Sequence, residues 1–319
     1  MTRQQPQVAA IGEVMVELAP APPRDDRKAC YSLSFAGDTF NTAVGLSRLG
    51  VSVAYVTRLG DDHFSRMMLH EMEQEGIHTH LVECVPQRQP GLYMIANDED
   101  GERHFSYWRG ESPARELLGT DQAVEALEGA LKDCRCLYLS GITLAIMTLD
   151  ARTRLKMVLA RHRARGGIVV FDPNYRPRLW RSPAEAKGVM EDFLAIGDIA
   201  LVTLEDELAL QGGASVMSIV DDYRNLGVAE LVIKCGADPV IVCHPAGFEE
   251  IAVPPVEEVV DTTGAGDAFN AGYLSARMRG AEPAEAVQEG NRVAGVVIRA
   301  RGGIVERPWF LAELGIPVN

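Results

Sequence analysis

The chain has 319 residues, of which 47% are hydrophobic and 24% are charged, which is typical of a globular protein and not of a disordered or fibrous one. Its formal net charge of −14 repels nucleic acids and anionic membranes, so neither is expected as a partner. The same field repels small anions, so a site for one needs arginine and lysine concentrated locally.

Cysteine usage and hydropathy predict a cytoplasmic protein. The six cysteines are scattered and form no CxxC pair, so we expect reduced thiols and no zinc site. No apolar run reaches the roughly 18–20 residues needed to cross a bilayer. The start of the chain has no apolar core and cleavage site of a signal peptide, so no export is expected.

Apolar runs of strand length alternate with helical patterns along most of the chain. Strands are predicted over 8–18, 51–60, 136–141, 167–174, 199–204, 230–236, 239–244 and 256–260, and helices over 39–50 and 63–76. Each of the two helices ends at a glycine. Continuous apolar strands with intervening helices predict an α/β fold, in which a mainly parallel sheet is covered on both faces.

Residues 91–110 interrupt this alternation. Two strand-like arms flank NDEDGE (97–102), whose Asp-Gly pair is a hairpin signal. With YSLSFAG (31–37), these arms predict a small second sheet lying over the main one. Since no internal repeat or long linker is found, we predict one domain over 1–319, with the small sheet's strands inserted at about 12–37 and 91–110.

The stretch DTTGAGDAFN (261–270) combines glycines with an acid at the start of a helical pattern. Gly264-Ala265-Gly266 carries almost no side chain and can lie close to a ligand. Its N–H groups are expected at a helix N-terminus, where the dipole favours anions. Asp267, in the first turn, could accept a proton from an attacking hydroxyl beside a bound phosphate. The alternative is an acid that only caps a glycine-rich turn, and the segment alone does not decide between the two.

Two nucleotide-binding classes fit the sequence poorly. The chain contains no GxxxxGK[ST], which excludes a P-loop NTPase. Gly264-x-Gly266 has Phe269 where a dinucleotide-binding fingerprint needs a third small residue. A dinucleotide-dependent dehydrogenase is therefore a weak alternative.

Two motifs resemble the signatures of the ribokinase-like (PfkB) family of carbohydrate kinases. Residues 261–274 match the C-terminal signature at each constrained position, and AGDTFNTA (36–43) matches the N-terminal one, including Asn41. Thr39 departs from the Gly, Ala or Pro usual in the broad family. Two long motifs in the right order are more specific than either alone, and the resemblance runs from residue 8 to about 310.

Within that family, the chain resembles the branch of 2-keto-3-deoxygluconate kinases. GDTFNTA, YWRGESPA (107–114), FDPNYRPRLW (171–180) and IKCGAD (233–238) carry this likeness, and Thr39 is itself typical of the branch. The resemblance implies a three-layer α/β/α fold with a mainly parallel central sheet and a β-sheet lid. It also implies MgATP-dependent phosphorylation of a sugar-acid hydroxyl, giving 2-keto-3-deoxy-6-phosphogluconate.

The resemblance also assigns catalytic and sugar-binding roles. Asp267 is expected as the general base, and the amides of Gly264, Ala265 and Gly266 as the anion hole. Gly37 and Asn41 are expected to contact sugar hydroxyls.

A sugar acid further needs a cationic clamp, and arginine can bind a carboxylate through two parallel hydrogen bonds. Arg109 and Arg176 are the candidates. Tyr107 alternates with Arg109 on one strand, so the two side chains are expected on the same face. Tyr93, on the opposing arm, could face the same pocket, although each of these residues could instead be a surface or packing residue.

Nucleotide and metal contacts follow from the same resemblance. The predicted ATP-binding residues are Thr203, Lys234, Gly236, Asp238, Gly264, Gly266 and Asn291. Glu207 is expected to organise Mg²⁺ through water, because Thr203-x-x-Asp206-Glu207 resembles the family's Asn-x-x-Glu stretch, with Thr203 in place of the usual Asn. Asp261 and Thr263 match the positions of a monovalent cation, K⁺, which family members often bind.

Two other functions stay open at this point. A fructokinase or ribokinase acts on a neutral sugar and needs no carboxylate clamp, whereas a silent sugar sensor needs no catalytic base. Exposed strands of the small sheet predict a homo-oligomer that pairs through sheet edges.

Overall fold

The computed structural model describes residues 5–21, 29–98 and 103–317. The strands are β1 (Val8–Ile11), β2 (Met15–Ala21), β3 (Cys30–Ala36), β4 (Val53–Leu59), β5 (Val82–Cys84), β6 (Leu92–Asn97), β7 (Arg103–Trp108), β8 (Cys136–Ser140), β9 (Ile168–Asp172), β10 (Ile199–Thr203), β11 (Glu230–Cys235), β12 (Asp238–His244) and β13 (Gly247–Ile251). They form two separate sheets.

The helices are α1 (Asp38–Arg48), α2 (His63–Gln74), α3 (Asp121–Ala130), α4 (Gly141–Ile146), α5 (Leu149–Ala164), α6 (Pro183–Leu194), α7 (Leu204–Gln211), α8 (Val216–Asn225), α9 (Ala265–Met278), α10 (Pro283–Val297) and α11 (Arg307–Glu313). Both predicted helix stops are confirmed, because Gly50 and Gly76 have φ of 84° and 74°. Such positive φ values cost glycine little and other residues more. Among the residues that the structure describes, no helix is long and apolar enough to cross a membrane.

The larger sheet has the strand order β13-β12-β11-β10-β9-β8-β1-β4-β5. Neighbouring strands from β11 to β5 run parallel, whereas β12 pairs antiparallel with both β11 and β13. The sheet is therefore mainly parallel, as the sequence predicts.

Helices cover both faces of this sheet and give it two separate cores. Side chains of β1 alternate between them: Ala9 and Ile11 join the core under α5, α6 and α8, whereas Val8 and Ala10 join the core under α1, α2 and α9. This alternation follows from the two-residue period of a strand. The result is the three-layer α/β/α arrangement.

The smaller sheet has the order β3-β2-β6-β7 and is called the lid below. Its β6 and β7 pair antiparallel, with Tyr93 opposite Tyr107. The predicted Asp-Gly turn lies in 99–102, outside the described residues. β2 pairs antiparallel with β3 and parallel with β6, which joins the two inserted segments in one sheet.

The strand predicted over 8–18 is wrong as a single element. It divides into β1, in the main sheet, and β2, in the lid, with an irregular stretch at 12–14 between them. A Cβ on Gly12 would lie 2.1 Å from Thr39 Oγ1, so the chain bends where only glycine fits against α1.

The strand predicted over 256–260 is also wrong, because this segment is extended and mostly exposed without joining a sheet. It follows Pro254 and Pro255, and Val260 N–H donates to the carbonyl of Ile298 at 2.8 Å instead of to a strand. Proline removes a donor and disfavours sheet pairing. Sequence reasoning in turn missed β5 and β13.

Candidate active site

The candidate site lies at the carboxyl ends of the parallel strands, where the chain reverses its direction of travel across the sheet. β4 and β5 lie on one side of β1, and β8 to β11 follow one another on the other side. Asp172 ends β9, and Thr203, at the end of β10, pairs with Lys234 of β11. Open α/β sheets bind ligands at such reversal points.

The glycine turn before α9 has a backbone that excludes side chains. Gly264 has φ of 74°, and a Cβ there would lie 2.5 Å from Gly303 Cα. The N–H of Ala265 donates to the carbonyl of Thr262 at 3.1 Å, so this one of the three predicted amides already has an acceptor in the turn. The amide of Gly266 lies in the first helical turn, whose N–H groups have no intrahelical acceptors.

Asp267 lies in the first turn of α9 and is partly exposed to the cleft. Its Oδ2 accepts a hydrogen bond from Asn41 Nδ2 at 2.8 Å, which brings the two predicted residues together across 226 positions of sequence. Burial and the negative charges of Asp38 and Asp172 raise the pKa of Asp267 to about 8, against the lowering effect of the Asn41 hydrogen bond. A carboxylate with this pKa accepts protons near neutral pH, as a general base must.

Sequence reasoning missed the carboxylate of Asp38, beside Gly37. Its Oδ1 accepts from the N–H of Thr39 and its Oδ2 from Asn174 Nδ2, both at 2.8 Å. Burial, together with the negative charge of Asp172, raises the pKa of Asp38 despite these bonds. An acid directly after Gly37 in the AGDTFN motif was the available signal.

Asp172, Lys234 and Asn270 form a buried polar network beside Asp267. Asp172 Oδ2 accepts from Lys234 Nζ at 3.3 Å and from Asn270 Nδ2 at 2.6 Å, and Lys234 Nζ also donates to Asn270 Oδ1 at 3.0 Å. A Cβ on Gly266 would lie 3.7 Å from Lys234 Nζ, so the ammonium lies against the glycine turn. The ammonium group of Lys234, which was predicted to bind ATP, thus lies at the glycine turn. It is held there by Asp172 and Asn270, to which the sequence gave no role.

The predicted lid residues lie on one face of the lid. The rings of Tyr93 and Tyr107 are 5.6 Å apart, and the Arg109 guanidinium carbon lies 5.8 Å from the centre of the Tyr107 ring. Tyr93 donates to Glu17 of β2. Burial raises the pKa of Tyr107, and the positive charges of Arg109, Arg176 and Arg178 only partly oppose this rise.

Each predicted clamp arginine already has an acidic partner. Arg109 Nη2 donates to Glu13, whose side chain is only 2% exposed and whose Oε1 has no hydrogen-bond partner in the described part of the chain. Arg176 Nη1 contacts both carboxylate oxygens of Asp206, at 3.0 and 3.1 Å. Sequence reasoning missed Glu13, although a charged residue inside the apolar run VAAIGEVMVEL was a signal.

The prediction for Glu207 conflicts with its position. Its side chain points away from the cleft, is 1% exposed, and accepts from Tyr223 Oη at 2.7 Å and Gln211 Nε2 at 2.9 Å. The neighbouring Asp206 is 20% exposed and instead accepts from Arg176, one of the predicted clamp residues, at 3.0 and 3.1 Å. The reason is helical phase, since α7 begins at Leu204 and successive residues point about 100° apart.

The remaining predicted nucleotide residues lie at the β10–β12 edge and on α10. Thr203 precedes α7 without capping it through its side chain, Gly236 has φ of 67° in the β11–β12 turn, and Asp238 is exposed at the start of β12. Asn291 is 8% exposed, and its Nδ2 has no hydrogen-bond partner among the residues that the structure describes. A buried amide donor without a partner fits a position that a polar ligand edge completes.

The predicted cation position is occupied by a side chain of the lid. Arg103, at the start of β7, donates to both carboxylate oxygens of Asp261 at 2.8 Å and also to Thr263 Oγ1. Gly302 N–H donates to Asp261 as well, at 2.8 Å. Asp261 and Thr263 therefore both contact a guanidinium group that the sequence did not suggest, and the monovalent cation at these residues stays a prediction.

The family model of the pfkB family of carbohydrate kinases matches residues 5–309, and the chain belongs to this family. The fold and the family together define an ATP-dependent carbohydrate kinase. The chain is 42% identical over 308 residues to the 2-dehydro-3-deoxygluconokinase of Escherichia coli, covering 94% of this chain and 97% of that protein. It is 43% identical over 306 residues to the 2-dehydro-3-deoxygluconokinase of Dickeya dadantii, covering 93% and 96%.

Solved structures agree with the fold. A PfkB protein from Polaromonas superposes with a TM-score of 0.82 at 30% identity, covering 97% of this chain and 99% of that one. A putative ribokinase II from Escherichia coli, solved in complex with ATP and Mg²⁺, has a TM-score of 0.82 at 22% identity, with the same coverage. At that identity the second likeness concerns the fold alone.

Proposed function

We propose that the protein phosphorylates 2-keto-3-deoxygluconate (2-dehydro-3-deoxygluconate) with ATP, giving 2-keto-3-deoxy-6-phosphogluconate. The observation that carries the proposal is that Arg109 lies 5.8 Å from the ring of the lid residue Tyr107 and that the positive charges of Arg109 and Arg176 both act on its phenol, in a chain of net charge −14. Each arginine is paired with an acid, and a substrate carboxylate would use the other N–H groups of the two guanidinium groups. A neutral sugar gains little from such charge, whereas a sugar acid requires it. Relatives with that name at 42% and 43% identity support the same substrate.

The proposed reaction needs one base and one set of donors to the phosphate. Asp267 takes the proton from the terminal hydroxyl while that oxygen forms a bond to the γ-phosphorus. The bond between the γ-phosphorus and the bridging oxygen breaks, and ADP leaves with the electron pair. The amides of Gly264 and Gly266, together with Lys234, stabilise charge on the transferring group in the manner of an oxyanion hole.

The predicted metal and nucleotide contacts keep their place in the proposal, with one change. Mg²⁺, bound with ATP, would neutralise charge on the β- and γ-phosphates. Its hard oxygen ligands through water would come from Asp206, replacing Glu207, and from Thr203. Asn291 would complete the adenine pocket with its unpartnered amide, and Gly236 and Asp238 would line the ribose side.

The direct test is ADP release by the wild type and by Asp267→Asn with 2-keto-3-deoxygluconate, its galactonate-derived epimer, fructose and ribose. We expect a preference for the sugar acids and a loss of about 10²–10⁴-fold in Asp267→Asn, the usual contribution of a general base. Activity retained in Asp267→Asn would mean that the base is wrong. A wild type that binds sugar and releases ADP with none of the substrates would be a sensor.

The clamp is tested with Arg109→Leu and Arg176→Leu in the same assay. Each change should reduce kcat/KM for the sugar acids far more than for fructose, because only the acids carry a carboxylate. Equal losses on all substrates would favour the fructokinase or ribokinase alternative. Comparing the two epimers decides between gluconate- and galactonate-derived substrates.

Binding of the predicted potassium ion depends on the position of Arg103. K⁺ can use the side-chain oxygens of Asp261 and Thr263 only when Arg103 has moved away from them. A potassium titration of wild-type activity against tetramethylammonium at constant ionic strength tests the requirement.

The organisation that we propose is one kinase domain over 1–319, cytoplasmic, assembled as a homo-oligomer through the lid. Support for the oligomer comes from the outer surface of the lid, where Tyr31, Leu33 and Trp108 are 42%, 41% and 58% exposed. A groove of about 390 Å³ adjoins them and is lined by Val16, Leu18, Phe64, Gln89, Pro90, Leu92, Met94 and Trp108. Large exposed apolar patches of this kind mark interaction surfaces.

A further inference from the structure

Arg103 links the lid to the segment that opens the glycine turn. It lies at the start of β7, and its guanidinium group makes two parallel hydrogen bonds of 2.8 Å to the carboxylate of Asp261, 158 residues away. The same group donates to Thr263 Oγ1. A bidentate arginine–carboxylate pair has a defined geometry, which a single hydrogen bond lacks.

Asp261 is more than a surface partner. Its side chain is 5% exposed, and it also accepts from the N–H groups of Thr263 at 3.0 Å and Gly302 at 2.8 Å. With the two N–H groups of Arg103, four donors converge on this carboxylate, which holds two separate backbone segments.

Those two segments form the walls of the glycine turn. Thr263 immediately precedes Gly264, and Gly303, next to Gly302, packs so closely that a Cβ on Gly264 would lie 2.5 Å from its Cα. Whatever fixes Asp261 therefore also fixes the distance between the turn and the 302–303 segment. Arg103 is the one contributor to this arrangement that comes from the lid among the residues that the structure describes.

The lid strand is attached at both of its ends. Arg109, just after β7, pairs with Glu13 near β1, and Arg103, at its start, pairs with Asp261. Between them, Tyr107 lies opposite Tyr93. Burial raises the pKa of the Tyr93 phenol, and the negative charges of Glu17 and Asp267 raise it further. The lid thus lies over the cleft with one attachment on the sugar side and one on the phosphate side.

We propose that Arg103 is a positioning residue that couples lid closure to the ordering of the glycine turn. The proposal rests on the kinase function and on the glycine turn as the phosphate site. Arg103 touches no reacting atom. The ion pair with Asp261 needs the lid in the position described above, so the position of the lid and the geometry of the glycine turn are set together, with or without a bound sugar.

Kinetic measurements test the coupling with Arg103→Ala, Arg103→Lys and Asp261→Asn, with His104→Ala as the matched lid control. His104 is the neighbouring exposed residue and pairs with Asp98 of the lid hairpin. We expect kcat to fall about tenfold to a hundredfold in Arg103→Ala and Asp261→Asn, since small displacements of a catalytic geometry have effects of this size. KM for the sugar acid should change much less. The double variant Arg103→Ala/Asp261→Asn should have a kcat no lower than that of the less active single variant.

Arg103→Lys separates charge from geometry. It keeps the positive charge but not the fork, so we expect an intermediate kcat if bidentate positioning matters. A wild-type kcat in Arg103→Ala would overturn the proposal, and so would a fully additive double variant.

Hydrogen exchange provides a readout that needs no substrate. The amides of Thr263 and Gly302 should exchange faster in Arg103→Ala than in the wild type, together with those of β6 and β7, while His104→Ala leaves them unchanged. Unchanged exchange at both segments would overturn the coupling. A wild type without kinase activity would reject the proposed function, whereas the exchange result would still decide whether Arg103 fixes the turn.

Discussion

Asp267 carries the clearest pH dependence at the scale of single residues. Burial and the nearby charge of Asp38 raise its pKa to about 8, so the free enzyme holds a proton on its base at lower pH. Because the base must be deprotonated, kcat/KM should rise with pH and level off above about 8. A pH–rate profile of the wild type measures this limb.

Two substitutions should move that limb in opposite directions. Asp38→Asn removes a negative charge beside Asp267 and should shift the rising limb to lower pH. Asn41→Ala removes a hydrogen bond that favours the ionised form and should shift it to higher pH. If neither variant moves the limb, Asp267 is not the group that titrates.

The neighbouring acids Asp206 and Glu207 make a matched pair for the metal assignment. Asp206→Asn should raise the Mg²⁺ concentration needed for half-maximal activity, because a carboxylate near the phosphates is lost. Glu207→Gln should leave this requirement unchanged, because that side chain is turned towards Tyr223 and Gln211. Magnesium titrations of both variants make the measurement, and an effect of Glu207→Gln alone would restore the original assignment.

At the scale of elements, the turn into α9 depends on close packing as well as on backbone conformation. Gly264→Ala places a Cβ 2.5 Å from Gly303 Cα, whereas Gly280→Ala meets a similar φ of 87° with no atom within 4 Å. Both variants should lose about 1 kcal/mol from backbone strain. Only Gly264→Ala should also lose about a hundredfold in kcat, because it displaces the phosphate donors.

Chemical denaturation and initial rates measure the two effects separately. Gly280 follows the end of α9 and therefore controls for strain at the other terminus of the same helix. Equal losses of activity in both variants would mean that strain, and not displacement of the turn, is responsible.

Elements with a strong local signal could be predicted from the sequence, and those defined by distant contacts could not. The strands of the parallel sheet are short apolar runs, so the sequence of each strand already indicates burial on both faces of the sheet. The 256–260 segment, VEEVV, carries the β-branched residues of a strand, but no described strand lies beside it, and pairing depends on the neighbours. Gly12 breaks the first run only because α1 packs against it there.

The residues of the candidate site also divide into those that the sequence could predict and those that it could not. Asp267 and Asn41 lie in recognisable motifs, and the structure brings them to 2.8 Å of each other. Arg103 lies in no recognised motif and could not be predicted, and Glu13 carried a signal inside an apolar run, but nothing in the sequence indicated its partner Arg109, 96 residues away. Glu207 was expected near the metal, but its side chain is buried against Tyr223 and Gln211, since one residue of helical phase decides which way a side chain on α7 points.

At the scale of the whole molecule, the exposed surface of the lid predicts self-association. Trp108→Glu places a charge in the middle of this apolar surface and should shift the protein to a smaller species in sedimentation velocity. Leu149→Glu is the control, because Leu149 is 76% exposed on α5, outside the lid. A wild type that sediments as a monomer, or an unchanged Trp108→Glu oligomer, would argue against assembly through the lid.

The two cores on either side of the main sheet separate the helices that carry Asn41 and Asp267 from the helices on the opposite face. Asn41 and Asp267 sit on α1 and α9, which pack on one face through residues such as Phe40 and Tyr273. The opposite face, under α5, α6 and α8, holds its own cluster, including Leu155 and Ile219. Thermostabilising substitutions can therefore be collected on that second face without changing the hydrogen bond between Asn41 and Asp267. This side of the sheet is the natural starting point for directed evolution of a more stable enzyme.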